Sequence, residues 1–268
     1  MDVNQKEYRR DGVTRVALPS LGALFTLREE LTRKLQLYFD SPRLRLENLH
    51  KYISDEQREE TAWMISKYFW DKDFCRKIVA ENYKTLIGFV GPDIYFQTRP
   101  FLRIARPKTE ADNIGFHRDT LYGQSPYEVS VHVPLTKLDK HSCLRFWKGS
   151  HVRPDEDFAK IAITADASEK GSRKHEMGFP YAPQTFEENT ALVPIPLKIG
   201  EAAVFPPSTI HGQKINEGNK TRVSFDFRIV SKYAPVKFRT DLSSRGYSAL
   251  FSSAVSEVAE EFLSQSVD

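Results

Sequence analysis

The first third of the chain carries apolar residues at the spacing of a helix. Leu24, Leu27, Leu31 and Leu35 recur at steps of three and four residues, which places one apolar stripe along a helix that ends near Tyr38. An apolar stripe on one side of a helix indicates that this side packs against another element of the protein, while the opposite side faces solvent. We therefore expect this helix to cover the core of the protein.

Two further helices are predicted before residue 85. Ser54 is a favourable N-cap and acidic residues follow it, so we expect a helix from Ser54 to about Trp70. Asp71 is expected to cap a third helix, which carries Phe74 on its apolar face. Residues 1–85 are thus predicted to form a helical support for the rest of the chain.

From Leu86 onward the pattern changes to short apolar or alternating runs separated by Gly and Pro, which is typical of a β-sandwich or barrel. In residues 128–135 the valines point to one face, while Ser130 and His132 point to the other. Either face is able to form the interior, and a polar inner face suits a barrel that holds a ligand. The candidate strands are 86–90, 93–98, 101–106, 128–135, 143–147, 192–198, 202–206, 210–216 and 221–230.

Two segments differ from the barrel pattern. Residues 152–190 contain charges, Gly and Pro without a period and are expected to form a long insert that acts as a lid. A last amphipathic helix is predicted over residues 253–265. We therefore predict one domain, 1–268, in which the barrel spans residues 86–230 and residues 231–268 form a tail with this helix.

Composition limits the partners and the compartment. The 39 Lys and Arg nearly balance 36 Asp and Glu, which argues against nucleic acid as a partner. The two cysteines, Cys75 and Cys143, cannot build a disulfide framework, and Cys143 is expected to be a buried, inert thiol. No apolar run approaches the roughly 18 residues of a membrane helix, so we expect no membrane partner and a cytoplasmic protein.

Polar residues form an ordered pattern along the predicted barrel. His117-Arg118-Asp119 comes first, then His211, and eleven residues later Arg222-Val223-Ser224. His117 and Asp119 share a strand face and are able to bind one metal, although about one such His-x-Asp is expected by chance. Two imidazoles and one carboxylate are the ligand set of non-haem Fe(II) oxygenases, which keep three positions open. Arg222 and Ser224 also share a face and are able to bind the far carboxylate of a 2-oxo acid.

These motifs resemble those of the Fe(II)- and 2-oxoglutarate-dependent dioxygenases, and among them the phytanoyl-CoA dioxygenase-like group. The resemblance covers roughly residues 95–230 and includes the segments 101–104 and 143–151. The chain departs from the usual pattern of the second segment, with Ser142 in place of Gly and Lys148 in place of Pro.

The resemblance implies a mostly β fold, a double-stranded β-helix of the jelly-roll or cupin type with helical support. It implies Fe(II) as the metal, with 2-oxoglutarate and O2 as cosubstrates and succinate and CO2 as products. In this family pattern His117, Asp119 and His211 are the iron ligands, and Arg222 with Ser224 holds the distal carboxylate of 2-oxoglutarate. A carboxylate at position 119 points to hydroxylation or another oxidation, since related halogenases have a small residue there.

Further residues are predicted to line the pocket. Ser130 is a candidate contact for 2-oxoglutarate, and Arg103, His132 and Arg228 are candidate contacts for the substrate. Arg228 shares the strand face of Arg222 if no bulge intervenes. The arginines favour a polar small-molecule metabolite, such as a biosynthetic intermediate, as the substrate.

Two other functions use the same ligands. A barrel of this fold is able to bind a ligand without turnover, and a zinc hydrolase is able to use two His and one Asp. A zinc hydrolase has no role for Arg222 and Ser224, and a non-catalytic relative has no need of both the triad and this arginine. The oxygenase is therefore the preferred prediction.

Overall fold

The computed structural model describes residues 3–122, 124–162, 184–234, 246–250 and 253–265. The α-helices are α1 (Val3–Asp11), α2 (Gly22–Tyr38), α3 (Asp55–Asp71), α4 (Phe74–Glu81), α5 (Tyr83–Val90) and α6 (Ala254–Gln265). The strands are β1 (Thr14–Ala17), β2 (Ile94–Gln97), β3 (Leu102–Ala105), β4 (Glu128–Pro134), β5 (Arg145–Trp147), β6 (Lys160–Ala162), β7 (Gln184–Phe186), β8 (Leu192–Pro194), β9 (Glu201–Phe205), β10 (His211–Gly212), β11 (Arg222–Ser231) and β12 (Tyr247–Ala249).

Two antiparallel sheets form the core of the structure. The larger sheet has the order β1-β9-β4-β11-β2-β12, and β3 pairs with the first half of β11. The smaller sheet has the order β10-β5-β8, and β6 pairs separately with β7. Two facing sheets of this kind, with helices against the outside of one, form a jelly-roll core with flanking helices, so the predicted fold class is confirmed.

Strand β11 lies at the centre of the larger sheet and presents different chemistry on its two faces. Val223, Phe225, Phe227 and Ile229 are buried in one apolar cluster with residues of α2, α3 and α4. The alternate positions carry polar side chains and face the interior of the jelly roll, as they must because side chains alternate along a strand. The polar face of the neighbouring β4 is likewise the inner one.

The predicted helices of the support are present. The buried leucines of α2 follow the predicted stripe, and Ser54 caps α3 through a hydrogen bond from the backbone N–H of Gln57 at 3.3 Å. The predicted cap of the third helix is wrong. Asp71 is the last residue of α3, and Asp73, with a φ of 51°, is the residue that precedes α4.

Three elements differ from the prediction. Residues 86–90 belong to helix α5 and not to a strand, because a short apolar run has no period that separates the two structures. Strand β1 lies within the predicted helical support and pairs with β9, and β12 lies in the predicted tail and pairs with β2. Strands of three or four residues form because a strand distant in the sequence pairs with them, so the local sequence pattern does not predict them.

The outer segments agree in part. Helix α6 matches the predicted last helix. The ends of the predicted insert form the β6–β7 pair, whereas residues 163–183, and with them the expected lid, lie outside the described residues. Among the described residues, no helix has the length and apolar character of a membrane span.

Candidate metal centre and its pocket

Three buried side chains form a group that can hold a metal ion. His117, Asp119 and His211 each offer one ligand atom, and these atoms lie within 4.8 Å of one another. Oδ1 of Asp119 is 3.5 Å from Nε2 of His117 and 3.7 Å from Nε2 of His211. The structure thus brings together the three predicted ligands, although about ninety residues separate the two histidines in the sequence.

The backbone fixes which ring nitrogen of each histidine faces the centre. Nδ1 of His117 lies 3.2 Å from the carbonyl oxygen of Gly115, and Nδ1 of His211 lies 3.0 Å from that of Thr209. A carbonyl oxygen only accepts, so both Nδ1 atoms carry the proton and both Nε2 lone pairs remain for a metal. Burial lowers the pKa of His211 to about 4, against the opposite effect of Asp119, so this ring is neutral at neutral pH.

Backbone pairing holds the two histidines side by side. The N–H of each residue donates to the carbonyl oxygen of the other at 2.9 Å, which forms an antiparallel bridge beside the smaller sheet. The ring of Phe205 packs against His211 with centroids 4.5 Å apart. The positions of the two imidazoles therefore depend on the sheet and not on an isolated loop.

The second oxygen of Asp119 has its own partners. Arg228 donates from Nη2 to Oδ2 at 2.8 Å, and Ser130 donates from Oγ to the same oxygen at 3.2 Å. Burial alone would raise the pKa of Asp119. Arg228 and the two imidazoles have the larger, opposite effect, so this pKa lies well below its usual range. The carboxyl is therefore ionised, as a metal ligand must be.

A buried cation lies in the same pocket as the three ligands. Arg222 is 4% exposed, and its Nε and Nη1 have no hydrogen-bond partner among the described residues. Burial lowers its pKa to about 10, against the effect of Asp226, so the guanidinium stays charged at neutral pH. Oγ of the buried Ser224, two residues along β11, also lacks a partner within the described ranges. Unpaired buried donors are costly, and an anionic ligand that accepts from them would remove that cost.

The family follows from the sequence match. The family model described as phytanoyl-CoA dioxygenase matches residues 26–224. The chain belongs to the phytanoyl-CoA dioxygenase family. This membership confirms the resemblance found in the sequence and, with the triad, supports an iron- and 2-oxoglutarate-dependent oxygenase or a related activity.

Solved structures are similar to this phytanoyl-CoA dioxygenase family member, and the first of the two below shares its fold. EvdO2 from Micromonospora carbonacea var. aurantiaca, complexed with 2-oxoglutarate, is 18% identical with a TM-score of 0.51, covering 86% of this chain and 91% of that chain. The epimerase SnoN from nogalamycin biosynthesis, in complex with Fe3+, alpha ketoglutarate and nogalamycin RO, is 16% identical with a TM-score of 0.47, covering 85% and 82%. A comparison with curated proteins gives no match.

The pocket brings most of the predicted site residues of this family member together. Its lining contains the triad and also Arg103, His132, Arg222, Asp226 and Arg228. Ser130 and Ser224 are buried but do not belong to that lining. The predicted contacts of Ser130 and Ser224 with 2-oxoglutarate, and of Arg103, His132 and Arg228 with the substrate, remain predictions.

Asp226 is a pocket residue that the sequence analysis missed. Its Oδ1 accepts a hydrogen bond from Nδ1 of His132 at 2.6 Å, and Nε of Arg103 is 3.8 Å from its Oδ2. Nε2 of His132 is buried without a hydrogen-bond partner among the described residues. The sequence contains a signal for Asp226, because it lies four residues after Arg222 and two before Arg228 on the same strand face.

Proposed function

We propose that this chain is an Fe(II)- and 2-oxoglutarate-dependent oxygenase that hydroxylates, or otherwise oxidises, a polar small-molecule metabolite and releases succinate and CO2. The observation that carries the proposal is the buried Arg222, whose unpaired nitrogens lie in the same pocket as His117, Asp119 and His211. Neither a metal triad nor a buried arginine alone indicates this chemistry. Together they provide one site for a divalent metal and another for a dicarboxylate.

The donor set fits Fe(II). His117 and His211 direct their Nε2 atoms toward the centre, and Asp119 presents an ionised oxygen, which is the ligand set of non-haem Fe(II) oxygenases. Zinc also accepts these ligands, but a zinc site alone leaves Arg222 without a function. The bound iron supplies the oxidising chemistry with 2-oxoglutarate and O2, while the protein supplies position and exclusion of water.

Arg222 is the residue proposed to bind the distal carboxylate of 2-oxoglutarate. Its planar guanidinium has two free nitrogens and is able to donate two parallel hydrogen bonds to a carboxylate. Ser224 is proposed to add a hydroxyl donor from the same strand. Burial strengthens this interaction, since charges attract more strongly where water is excluded. EvdO2, whose fold this chain shares, is described in complex with 2-oxoglutarate, which agrees with the proposal.

The remaining pocket groups favour a polar substrate. Arg103 and Asp226 place one positive and one negative charge on the wall, and Nε2 of His132 is a further polar atom there. Buried polar atoms favour ligands that make hydrogen bonds with them and disfavour purely apolar ones. We infer a metabolite with hydroxyl, amino or acidic groups as the substrate class.

Anaerobic titration tests the proposal. Fe(II) and 2-oxoglutarate added to the protein without O2 should produce the weak visible charge-transfer band of the iron chelate. In Arg222→Met the metal should still bind, but the affinity for 2-oxoglutarate should fall at least about 30-fold, because losing one partner of a buried charge pair costs about 2–5 kcal/mol. Arg99→Met, which removes an exposed arginine, serves as the matched control and should leave the affinity unchanged.

Product analysis separates the alternatives. Air admitted to the loaded protein should give succinate, even without the true substrate, through slow uncoupled turnover. A protein that binds Fe(II) and 2-oxoglutarate and never gives succinate is a non-catalytic binder. A protein that binds Zn2+ tightly, ignores 2-oxoglutarate and shows no band overturns the proposal in favour of the hydrolase.

A further inference from the structure

The two oxygens of Asp119 face different surroundings. Oδ1 faces the Nε2 atoms of His117 and His211, at 3.5 and 3.7 Å. Oδ2 accepts hydrogen bonds from Arg228 at 2.8 Å and from Ser130 at 3.2 Å. One oxygen is thus directed toward the metal position, and the other is already engaged by protein donors.

Both terminal nitrogens of Arg228 donate hydrogen bonds to side chains of the protein itself. Nη2 donates to Asp119, Nη1 donates to Oε1 of Gln97 at 3.4 Å, and Nε lies 3.9 Å from Oε2 of Glu128. Arg222 differs, because both its Nε and its Nη1 lack a hydrogen-bond partner among the described residues, whereas on Arg228 this holds for Nε alone. The partners of Arg228 favour a function at the carboxylate of Asp119 over the substrate contact predicted from the sequence.

Glu128, which lies near Nε of Arg228, is itself held by a further hydrogen bond. Glu128 is fully buried and its Oε1 accepts a hydrogen bond from the hydroxyl of Tyr247 at 2.9 Å. Tyr247 begins strand β12, so the chain of contacts runs from the metal ligand to the edge of the larger sheet. Buried charges on both sides of the guanidinium restrict the directions in which Arg228 can point.

We propose that Arg228, with Ser130, is a positioning residue that holds Asp119 so that only one of its oxygens is offered to the metal. This inference rests on the proposed function. A carboxylate is able to bind a metal through one or both oxygens, and the second oxygen would fill one of the three positions that this ligand set leaves open. By holding Oδ2, Arg228 and Ser130 keep that position free for the other ligands of the reaction.

The variant that tests this role must not change the net charge beside the metal. Arg228→Met alone removes one positive charge from beside the metal. The double variant Arg228→Met/Glu128→Gln removes one positive and one negative charge, so the net charge of the site stays the same as in the wild type. The wild type is therefore the reference for the double variant, Glu128→Gln alone shows the effect of that substitution, and Arg76→Met, which removes another arginine that contacts β12 through Ser248, is the matched control.

Co(II) is the probe, because its visible spectrum reports the number and kind of ligands without turnover. The double variant should bind Co(II) about 10- to 100-fold more weakly than the wild type, the usual effect of losing a group that orients a metal ligand. Its Co(II) spectrum should also differ from that of the wild type, because Asp119 becomes free to bind through both oxygens. Arg76→Met should change neither quantity.

The outcomes are distinct. If the double variant binds Co(II) within about threefold of the wild type and with the wild-type spectrum, the positioning role is overturned. If circular dichroism shows that the double variant does not fold, Ser130→Ala takes its place, since it removes one donor to Oδ2 without changing charge. An unchanged affinity and spectrum in Ser130→Ala would then overturn the role. A wild type that binds neither Co(II) nor 2-oxoglutarate overturns the proposed function instead.

Discussion

Gly212 lies against the carbonyl group of Gly115, so closely that a Cβ at position 212 would be 2.2 Å from that oxygen. Gly212 directly follows His211, and Gly115 comes two residues before His117. The absence of a side chain at position 212 therefore allows the two segments that carry the imidazoles to approach each other.

Gly212→Ala is expected to abolish tight metal binding while the protein remains folded. The new methyl group meets backbone, which cannot move aside as a flexible side chain does, so the two histidines must separate. Co(II) titration and circular dichroism measure the two effects. Gly88→Ala is the control, because its Cβ would meet the end of the Gln5 side chain at 3.1 Å. Metal binding of wild-type strength in Gly212→Ala would contradict this prediction.

Asp112 is expected to be essential for stability. Its carboxylate is ion-paired with Arg58 of α3 at 2.7 Å and with Arg106 at 2.9 Å, and all three side chains are largely buried. Asp112→Ala leaves two buried guanidiniums without this partner and should lower the free energy of unfolding by about 3–5 kcal/mol. Urea denaturation measures the loss. Asp71→Ala, which breaks an exposed pair with Lys67, should cost less than about 1 kcal/mol.

The two cysteines are expected to be unreactive in the folded protein. Burial raises the pKa of Cys143 to about 11 and that of Cys75 well above its ordinary value. The thiolate is the reactive form, so a thiol reagent at about pH 8 should modify neither residue. Both should react after denaturation. Rapid modification of either cysteine in the native protein would show that its burial is not maintained in solution.

Asp11 is expected to contribute stability that is lost in acid. Hydrogen bonds from Arg10 lower the pKa of this carboxyl to about 2, against the effect of burial, and Lys148 adds to them. Because the pKa is lower in the folded state than in the unfolded chain, the contribution is present above about pH 4 and disappears as the pH falls toward 2.

Urea denaturation of wild type and Asp11→Asn measures this contribution of Asp11. The difference between their unfolding free energies should be larger at about pH 5 than at about pH 3. Glu29→Gln, at an exposed position of α2, should show no such change with pH. A difference for Asp11→Asn that is the same at both pH values would be incompatible with the ion pair.

The ligand triad was visible in the sequence because its order and spacing are local signals. His117 and Asp119 lie two residues apart, and His211 precedes Arg222 by eleven residues, with each on one of two successive strands of the chain. The convergence of these residues depends on the fold, which the resemblance supplied and the antiparallel sheets confirm.

Other features depend on contacts that no local pattern contains. The partners of Arg228 come from β2, β4 and the segment after His117, so its function at Asp119 follows only from the register of the larger sheet. Strand β1 forms because β9 offers it an edge, and not because four residues prefer extended structure. The sequence predicts a strand at residues 86–90, which belong to helix α5, for a related reason, since apolar content alone does not distinguish the two structures.

The two faces of strand β11 have different roles, and this difference bears on which of its residues can be substituted without disturbing the core. Residues 223, 225, 227 and 229 belong to the apolar core that includes the helices, whereas Arg222, Asp226 and Arg228 line the pocket. Substitutions at the second set can change what the pocket accepts without a cavity or an overpacked contact in the first. A single strand therefore allows ligand preference to evolve while the requirements of folding remain satisfied.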